Sequence, residues 1–382
     1  MAEAVLSAPK STSTGQAVSR VGDPWLLLAA LALAGVGLVM VYSAGSALAV
    51  QRHSDGAYFF KAQLLHVTAG IVVMGLLALV DYRRLARFTY PVLLGVLAAL
   101  LLVLIPGVGH EAGGAVRWLR LGPFSLQPAE MAKLALVLYL AHSLSRHQEQ
   151  IKTFSRGLLP HLGVTFLLIL PVAAEPDLGM SVILFCLACL MLFVAGARLS
   201  YLLGMLAMAS PLVWVMVVHY PWRLKRILAF LNPWQDAGGA GFQIIHSFYA
   251  LGSGGLWGAG LSAGKQKLFY LPEPHTDFIF SVLGEELGLW GVLLVLGLFL
   301  LLVIRGVKIA LEARELFGTY LAMGSTLIIG LQAFINAGVV MGLLPTKGLT
   351  MPFISYGGSS LLVNFACVGI LLSVAAGSGR KA

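Results

Sequence analysis

Long apolar runs separated by short polar stretches fill most of the chain. Ten runs are read, at about 24–42, 62–80, 89–105, 128–144, 158–174, 179–197, 200–219, 277–304, 318–342 and 358–376. Most approach the roughly 20 residues with which a helix crosses a hydrocarbon core. In lipid the backbone must satisfy its own hydrogen bonds, so the runs predict helices. The alternating segments of about ten residues that build a transmembrane barrel are missing. The expected fold is therefore all-α, a polytopic membrane helical bundle of about ten transmembrane helices. A long loop over about 220–276 joins the seventh helix to the eighth.

Composition agrees with the pattern. Of 382 residues, 59% are hydrophobic and 11% charged, against about a quarter charged in soluble domains. The length alone predicts two or three soluble domains, but the near-continuous hydropathy replaces them with one membrane domain over 24–376. Residues 1–23, rich in Ser, Thr and Ala, read as a disordered cytoplasmic tail, and 377–382 as a second short tail. The apolar run after Pro24 is too long for the core of a signal peptide, so a retained first helix is expected. Cys186 and Cys189 form a CxxC inside an apolar run and read as small packing residues.

Charge sets the orientation. In the short loops the basic residues favour one side, with Arg83, Arg84, Arg87, Arg146, Lys152 and Arg156 among them. By the positive-inside rule both termini lie in the cytoplasm. Arg223, Lys225, Arg226, Lys265 and Lys267 fall in the long loop, which escapes that rule. Outer-face cations serve either lipid head groups or a site that handles a polyanion.

The loop has structure of its own. Leu224, Ile227, Leu228 and Leu231 follow helical spacing with basic residues between them, predicting a short interfacial helix that ends at Asn232-Pro233. A second helical stretch is expected over 242–251. The glycine-rich run from Gly252 to Gly264 is no phosphate-binding P-loop: Ala259 and Gln266 break the pattern and no strand precedes it. Its glycines predict tight turns or close backbone approach. No nucleic-acid partner is expected.

Several polar groups stand at the ends of apolar runs, where ionisable residues are expensive. Glu130 and Lys133, three apart after Gln127-Pro128, share a helical face. They form either a structural ion pair or a pair lining a substrate cavity. Arg117-Trp118 is a membrane anchor, or a clamp for phosphate and sugar. Asp277 opens the eighth run, as a helix cap or as a free carboxylate at the rim. Glu285 falls on nearly the same face about 12 Å deeper, while Glu286 faces elsewhere. Residues 345–360, apolar but broken by Pro345, Pro352 and glycines, read as a re-entrant segment that protein or a water-filled cavity must cover.

These stretches together resemble the FtsW/RodA/SpoVE (SEDS) family over nearly the whole chain, from about Asp23 to residue 376. Five motifs fall in family order: Gly114-Ala115-Val116-Arg117-Trp118, Gln127-Pro128-Ala129-Glu130, Glu175-Pro176-Asp177-Leu178-Gly179, Leu271-Pro272-Glu273-Pro274-His275-Thr276-Asp277-Phe278, and Pro352 to Ser360. The versions here look most like the family's cell-division branch. Ala129 replaces a common Ser, and Ser125 stands where some division-branch members carry a base.

The resemblance implies a peptidoglycan glycosyltransferase acting at the division septum on the outer face of the inner (cytoplasmic) membrane. It polymerises lipid II, the undecaprenyl-pyrophosphoryl disaccharide-pentapeptide, and works with a class B penicillin-binding transpeptidase, other division proteins and membrane lipid. The catalytic carboxylate maps to Asp277. The expected substrate-binding residues are Arg117, Trp118, Glu130, Lys133, Lys265, Lys267, Lys347 and Ser359. The chemistry fits them. A pyrophosphate is already a good leaving group, so one carboxylate base, worth about 10²- to 10⁴-fold, with cations at the phosphates is enough. The anomeric centre inverts, because direct displacement needs no covalent intermediate. No metal site or tightly bound cofactor is expected; weak bridging by a divalent cation stays open. Two readings compete: a lipid II flippase with Glu130, Lys133, Glu175 and Asp177 as its polar path, and a non-enzymatic division scaffold.

Overall fold

The computed structural model describes residues 22–112, 115–122, 124–268 and 271–379; the rest of both expected tails lies outside them. The helices are α1 (Pro24–His53), α2 (Tyr58–Leu79), α3 (Tyr82–Leu85), α4 (Thr89–Val103), α5 (Pro128–Arg146), α6 (Leu159–Ala174), α7 (Leu178–Val194), α8 (Leu199–Val218), α9 (Pro221–Leu231), α10 (Phe242–Gly254), α11 (Ile279–Glu312), α12 (Leu316–Val340) and α13 (Gly358–Gly379). Each of the ten apolar runs coincides with one of them. Eight described stretches are long and apolar enough to cross a membrane. The two other runs form α7, only 17 residues long, and α5, which carries Glu130 and Lys133 in its first two turns.

α12 and α13 are the most buried spans and α8 the least. α13 packs on α2, and α12 on α5 and α11. Large apolar side chains such as Met208, Trp214 and Val215 of α8 stay exposed, as suits helices whose outer faces meet lipid rather than water.

The structure departs from the sequence reading in four places. Asp23, assigned to the tail, belongs to the fold: it accepts hydrogen bonds from the backbone of Trp25 and Leu26 at the start of α1 and pairs with Arg305 of α11. At the other end α13 continues to Gly379, so residues 377–379 are helical. The bundle is also not purely helical. Between α4 and α5 a small antiparallel sheet is built from β1 (Gly109–Ala112), β2 (Ala115–Leu121) and β3 (Phe124–Leu126), in the order β1-β2-β3. β2 pairs Arg120 with Ser125 of β3 and Trp118 with His110 of β1.

The fourth departure is a break in α11. Gly288 sits at φ 65°, ψ −163°, a conformation closed to residues with a Cβ. The freed carbonyls of Glu285 and Glu286 accept the N–H groups of Ala259 and Gly260. In return Leu289 donates to the Gly255 carbonyl. A Cβ on Gly258 would lie 2.2 Å from the Glu286 carbonyl oxygen. The glycine-rich run is thus a close backbone graft onto a broken helix.

Candidate active site

Asp277 lies two residues before α11, in a series of turns, and caps nothing; the cap position is Phe278. Its backbone is fixed from across the bundle. The Asn336 side-chain amide on α12 donates to the Asp277 carbonyl at 3.0 Å and the Leu349 carbonyl at 2.5 Å. Ser355 donates to the Thr276 carbonyl at 2.6 Å, and the Tyr356 N–H to the His275 carbonyl at 2.9 Å. The irregular segment between α12 and α13 is therefore laid against the start of α11.

That segment needs partners for its backbone, because it has no helix of its own. Gln332 of α12 donates to the Thr350 carbonyl at 2.9 Å, and Gln63 of α2 to the Ser355 carbonyl at 3.1 Å. Leu349, Met351, Phe353 and Ile354 are buried. The expected re-entrant segment is covered by protein and stitched to the bundle by amide side chains.

The consequence is a crowded, charged pocket rim. Gly348 packs on Asp277 so closely that a Cβ there would fall 2.5 Å from its Oδ2. The carboxylate, half-buried, makes no hydrogen bond or ion pair with any described residue. Burial first, and then Glu273, push its pKa up from 3.8 to about 6, against Lys347, Arg226 and Arg117. Below pH 6 it is mainly protonated; near neutrality it is a carboxylate with a free lone pair.

Three cations gather on the neighbouring turn between α6 and α7. Lys347 Nζ meets Asp177 Oδ1 at 3.0 Å, and Arg117, from β2, meets Asp177 Oδ2 at 3.6 Å. Arg117 also donates to the Glu175 and Pro176 carbonyls. Arg223, at the start of α9, donates to the Pro176 and Met216 carbonyls. Burial works against ionisation of Asp177, but Lys347, Arg117 and the Met180 N–H hold its pKa below the ordinary value. Lys347 lies across Gly179, where a Cβ would fall 1.7 Å from Nζ; this explains the glycine in the Glu-Pro-Asp-Leu-Gly motif. Glu175 is buried with neither carboxyl oxygen hydrogen-bonded. Burial, then Asp177, raises its pKa to about 8 despite Arg117, so it is mainly a neutral acid at pH 7.

The other expected site residues fall elsewhere. Lys133 Nζ meets Glu130 at 2.7 Å and donates to Gln332 at 2.5 Å, all inside the bundle. The pair thus orients Gln332, which holds the segment carrying Lys347. Lys267 is buried against Glu286 at 2.6 Å and Ser43 at 2.9 Å. Glu285 accepts the backbone N–H groups of Lys265 and Gln266, leaving the exposed Lys265 side chain free. Ser359 accepts the Gln127 N–H at 2.9 Å and tethers α13 to the start of α5. Trp118 is half-buried on β2 beside Arg117. Asp177, Arg223, Arg226, Asn336 and Gln332 were not among the expected substrate-binding residues. The motif marked Asp177, and the basic loop marked Arg223 and Arg226 as candidate cations for a polyanion; Asn336 and Gln332 carried no such signal. Among the described residues no group of three or more His, Cys, Asp or Glu could hold a metal ion.

A membrane bundle with a half-buried carboxylate and clustered cations at one end defines a class of enzyme-like membrane protein, and comparison with known proteins places it. The family model described as "Cell cycle protein" (FTSW_RODA_SPOVE) matches residues 24–379. A Geobacter metallireducens protein named probable peptidoglycan glycosyltransferase FtsW is 50% identical over 352 residues, covering 92% of this chain and 94% of that protein. Bacillus subtilis stage V sporulation protein E is 44% identical over 354 residues, covering 92% and 96%. Among solved structures, one of a peptidoglycan synthase complex that coordinates polymerization and crosslinking matches with TM-score 0.77 at 30% identity, covering 94% of this chain and 99% of that one. Thermus thermophilus rod shape determining protein RodA matches with TM-score 0.68 at 30% identity, covering 94% and 98%. The chain belongs to the FtsW/RodA/SpoVE family and is an integral membrane protein.

Proposed function

We propose that this protein is a peptidoglycan glycosyltransferase that polymerises lipid II, with Asp277 as its general base. The carrying observation is the unpaired, half-buried Asp277 carboxylate at the same rim as Lys347 and Arg117. In a bundle where other buried carboxylates are mostly paired or hydrogen-bonded, this one is held ready by Asn336 and Gly348 but left without a partner. Its pKa of about 6 suits a base working near neutral pH.

The step balances as a direct displacement. The 4-hydroxyl of the acceptor sugar attacks the anomeric carbon of the donor while its proton passes to Asp277. The bond from that carbon to the pyrophosphate oxygen breaks, and the electron pair leaves on undecaprenyl pyrophosphate. Lys347 and Arg117 take the growing negative charge; such preorganised cations supply much of the acceleration in water-poor sites. Asp177 positions both without neutralising either in full. One inversion results. Were a divalent cation to take part, Asp277 or Glu273 would hold it, and it would supply further positive charge at the pyrophosphate.

In this reading both termini lie in the cytoplasm of a bacterium, the Asp277 rim opens on the outer face of the inner membrane, and the protein works at the septum with a class B penicillin-binding transpeptidase. The test uses purified protein with that transpeptidase and labelled lipid II in detergent. Polymer is expected. A flippase or a scaffold makes none, because detergent leaves no membrane to cross and no division machinery to hold.

A further inference from the structure

Resting on the glycosyltransferase reading, we propose that the cavity between α9 and the turn that follows it is a second pyrophosphate subsite, which holds the acceptor lipid II. The chemistry of the step demands two such places. Both substrates are sugar pyrophosphates on a lipid. The donor pyrophosphate departs from the reacting carbon on the face opposite the hydroxyl that Asp277 deprotonates, and Lys347 and Arg117 are the cations that meet it there. The acceptor pyrophosphate does not react. It is joined to the far sugar of the disaccharide whose near sugar carries the attacking hydroxyl, so it sits two sugar rings from the base and needs cations of its own.

The structure supplies them. A cavity of about 380 Å³ is lined by Trp222, Lys225 and Arg226 of α9, Gly238, Gln243 and Pro272, among others. Lys225 and Arg226 form no ion pair with any described residue, whereas Lys347, Arg117 and Lys267 all have carboxylate partners. The Trp222 ring packs against two guanidinium groups, Arg226 at 5.3 Å and Arg223 at 5.0 Å from its centroid, which fixes Arg226 at the cavity wall. Pro272 links the cavity to the segment that ends in Asp277, and Arg226 is near enough to bear on Asp277 electrostatically. Asp236 is tied to the loop that lines the cavity, accepting the Ala240 N–H at 2.9 Å and packing against Gly239. The cavity therefore presents positive charge, one remove from the base.

An anionic lipid head group offers the same phosphate chemistry to an interfacial basic helix, and the experiment separates the two sources. Lipid II blocked at its non-reducing 4-hydroxyl can only donate. With labelled blocked donor at saturation, unmodified lipid II is titrated as acceptor in nonionic micelles, and the reverse titration is run at saturating acceptor. Lys225→Ala is expected to raise the half-saturating acceptor concentration about tenfold and leave that of the donor unmoved, with Lys225→Arg restoring it. Gln243→Ala, from the opposite wall, is expected to act in the same direction. The inference is overturned if acceptor half-saturation stays within about twofold of wild type in micelles, if donor half-saturation moves instead, or if an effect appears only in vesicles containing anionic lipid. If the wild-type protein makes no product, the glycosyltransferase reading itself has failed, a different outcome from any of these.

Discussion

Lys267 and Glu286 bring opposite charges within 2.6 Å at a buried point of the bundle, and Ser43 donates to the same carboxylate at 2.7 Å. Ten residues from Lys267, Asp277 has a cationic neighbourhood too, but no hydrogen bond and no ion pair. Both carboxylates stand beside cations, yet one is saturated and the other is held open. Breaking a buried pair costs several kcal/mol, so the first arrangement fixes the 255–268 stretch on the broken helix. The second keeps a lone pair available at the cost of a raised pKa. In a chain this poor in charge, the presence of an ionisable residue says little by itself. What separates support from chemistry is whether the neighbours use up the hydrogen-bonding capacity of a group that is ionised near neutral pH; Glu175, unbonded but mainly neutral at pH 7, fails the second condition.

Substitutions on each side of this contrast should fail differently. Lys133→Met leaves Glu130 buried without its cation, and a loss of about 3–5 kcal/mol is expected, seen as low membrane yield or a melting temperature well below wild type. If Lys133→Met melts like wild type, the pair is not structural. Lys347→Ala should keep its fold, since one carboxylate oxygen of Asp177 is still met by Arg117. It should lose about 10²-fold in polymerisation rate, measured at equal membrane levels. A rate near wild type makes Lys347 a surface charge. The smallest effect expected is on pH dependence. Wild-type kcat/KM should fall as pH drops through about 6, because the base must be deprotonated. Glu273→Gln removes a negative charge that raises the Asp277 pKa, so its acid limb should move to lower pH; Lys347→Ala should move it higher. Limbs that coincide in all three proteins would assign the titration to another group.

Much of this was legible in the sequence, for reasons that differ by scale. The spans were visible because apolarity averages over a whole helix, and every one of the ten runs became a helix. The α9 helix was visible because Leu224, Ile227, Leu228 and Leu231 keep helical spacing. The small sheet was not, since strands of four, seven and three residues vanish in a window sized for spans. Nor was the break in α11, where Gly288 looks like any glycine of an apolar helix. Asp277 stood out as an acid at the mouth of an apolar run and through its motif. Its supports did not: Asn336 lies 59 residues away, and the Lys347–Asp177 pair joins positions 170 residues apart. Such pairings exist only once the helices have packed. The same holds for Lys267, whose place beside Lys265 in a basic loop read as substrate contact, though burial against Glu286 makes it part of the frame.

The assignment of the base is tested most directly by polymer formed from labelled lipid II in detergent by Asp277→Asn, with Glu285→Gln alongside and the transpeptidase present. Asparagine keeps the size of the side chain and disturbs no hydrogen bond, so melting temperature and partner binding should match wild type while polymerisation falls by about 10²- to 10⁴-fold. Glu285→Gln still accepts from the Lys265 and Gln266 backbone and should lose much less. Polymer at the wild-type rate from Asp277→Asn, with Glu285→Gln inactive, would place the base inside the bundle and contradict the account.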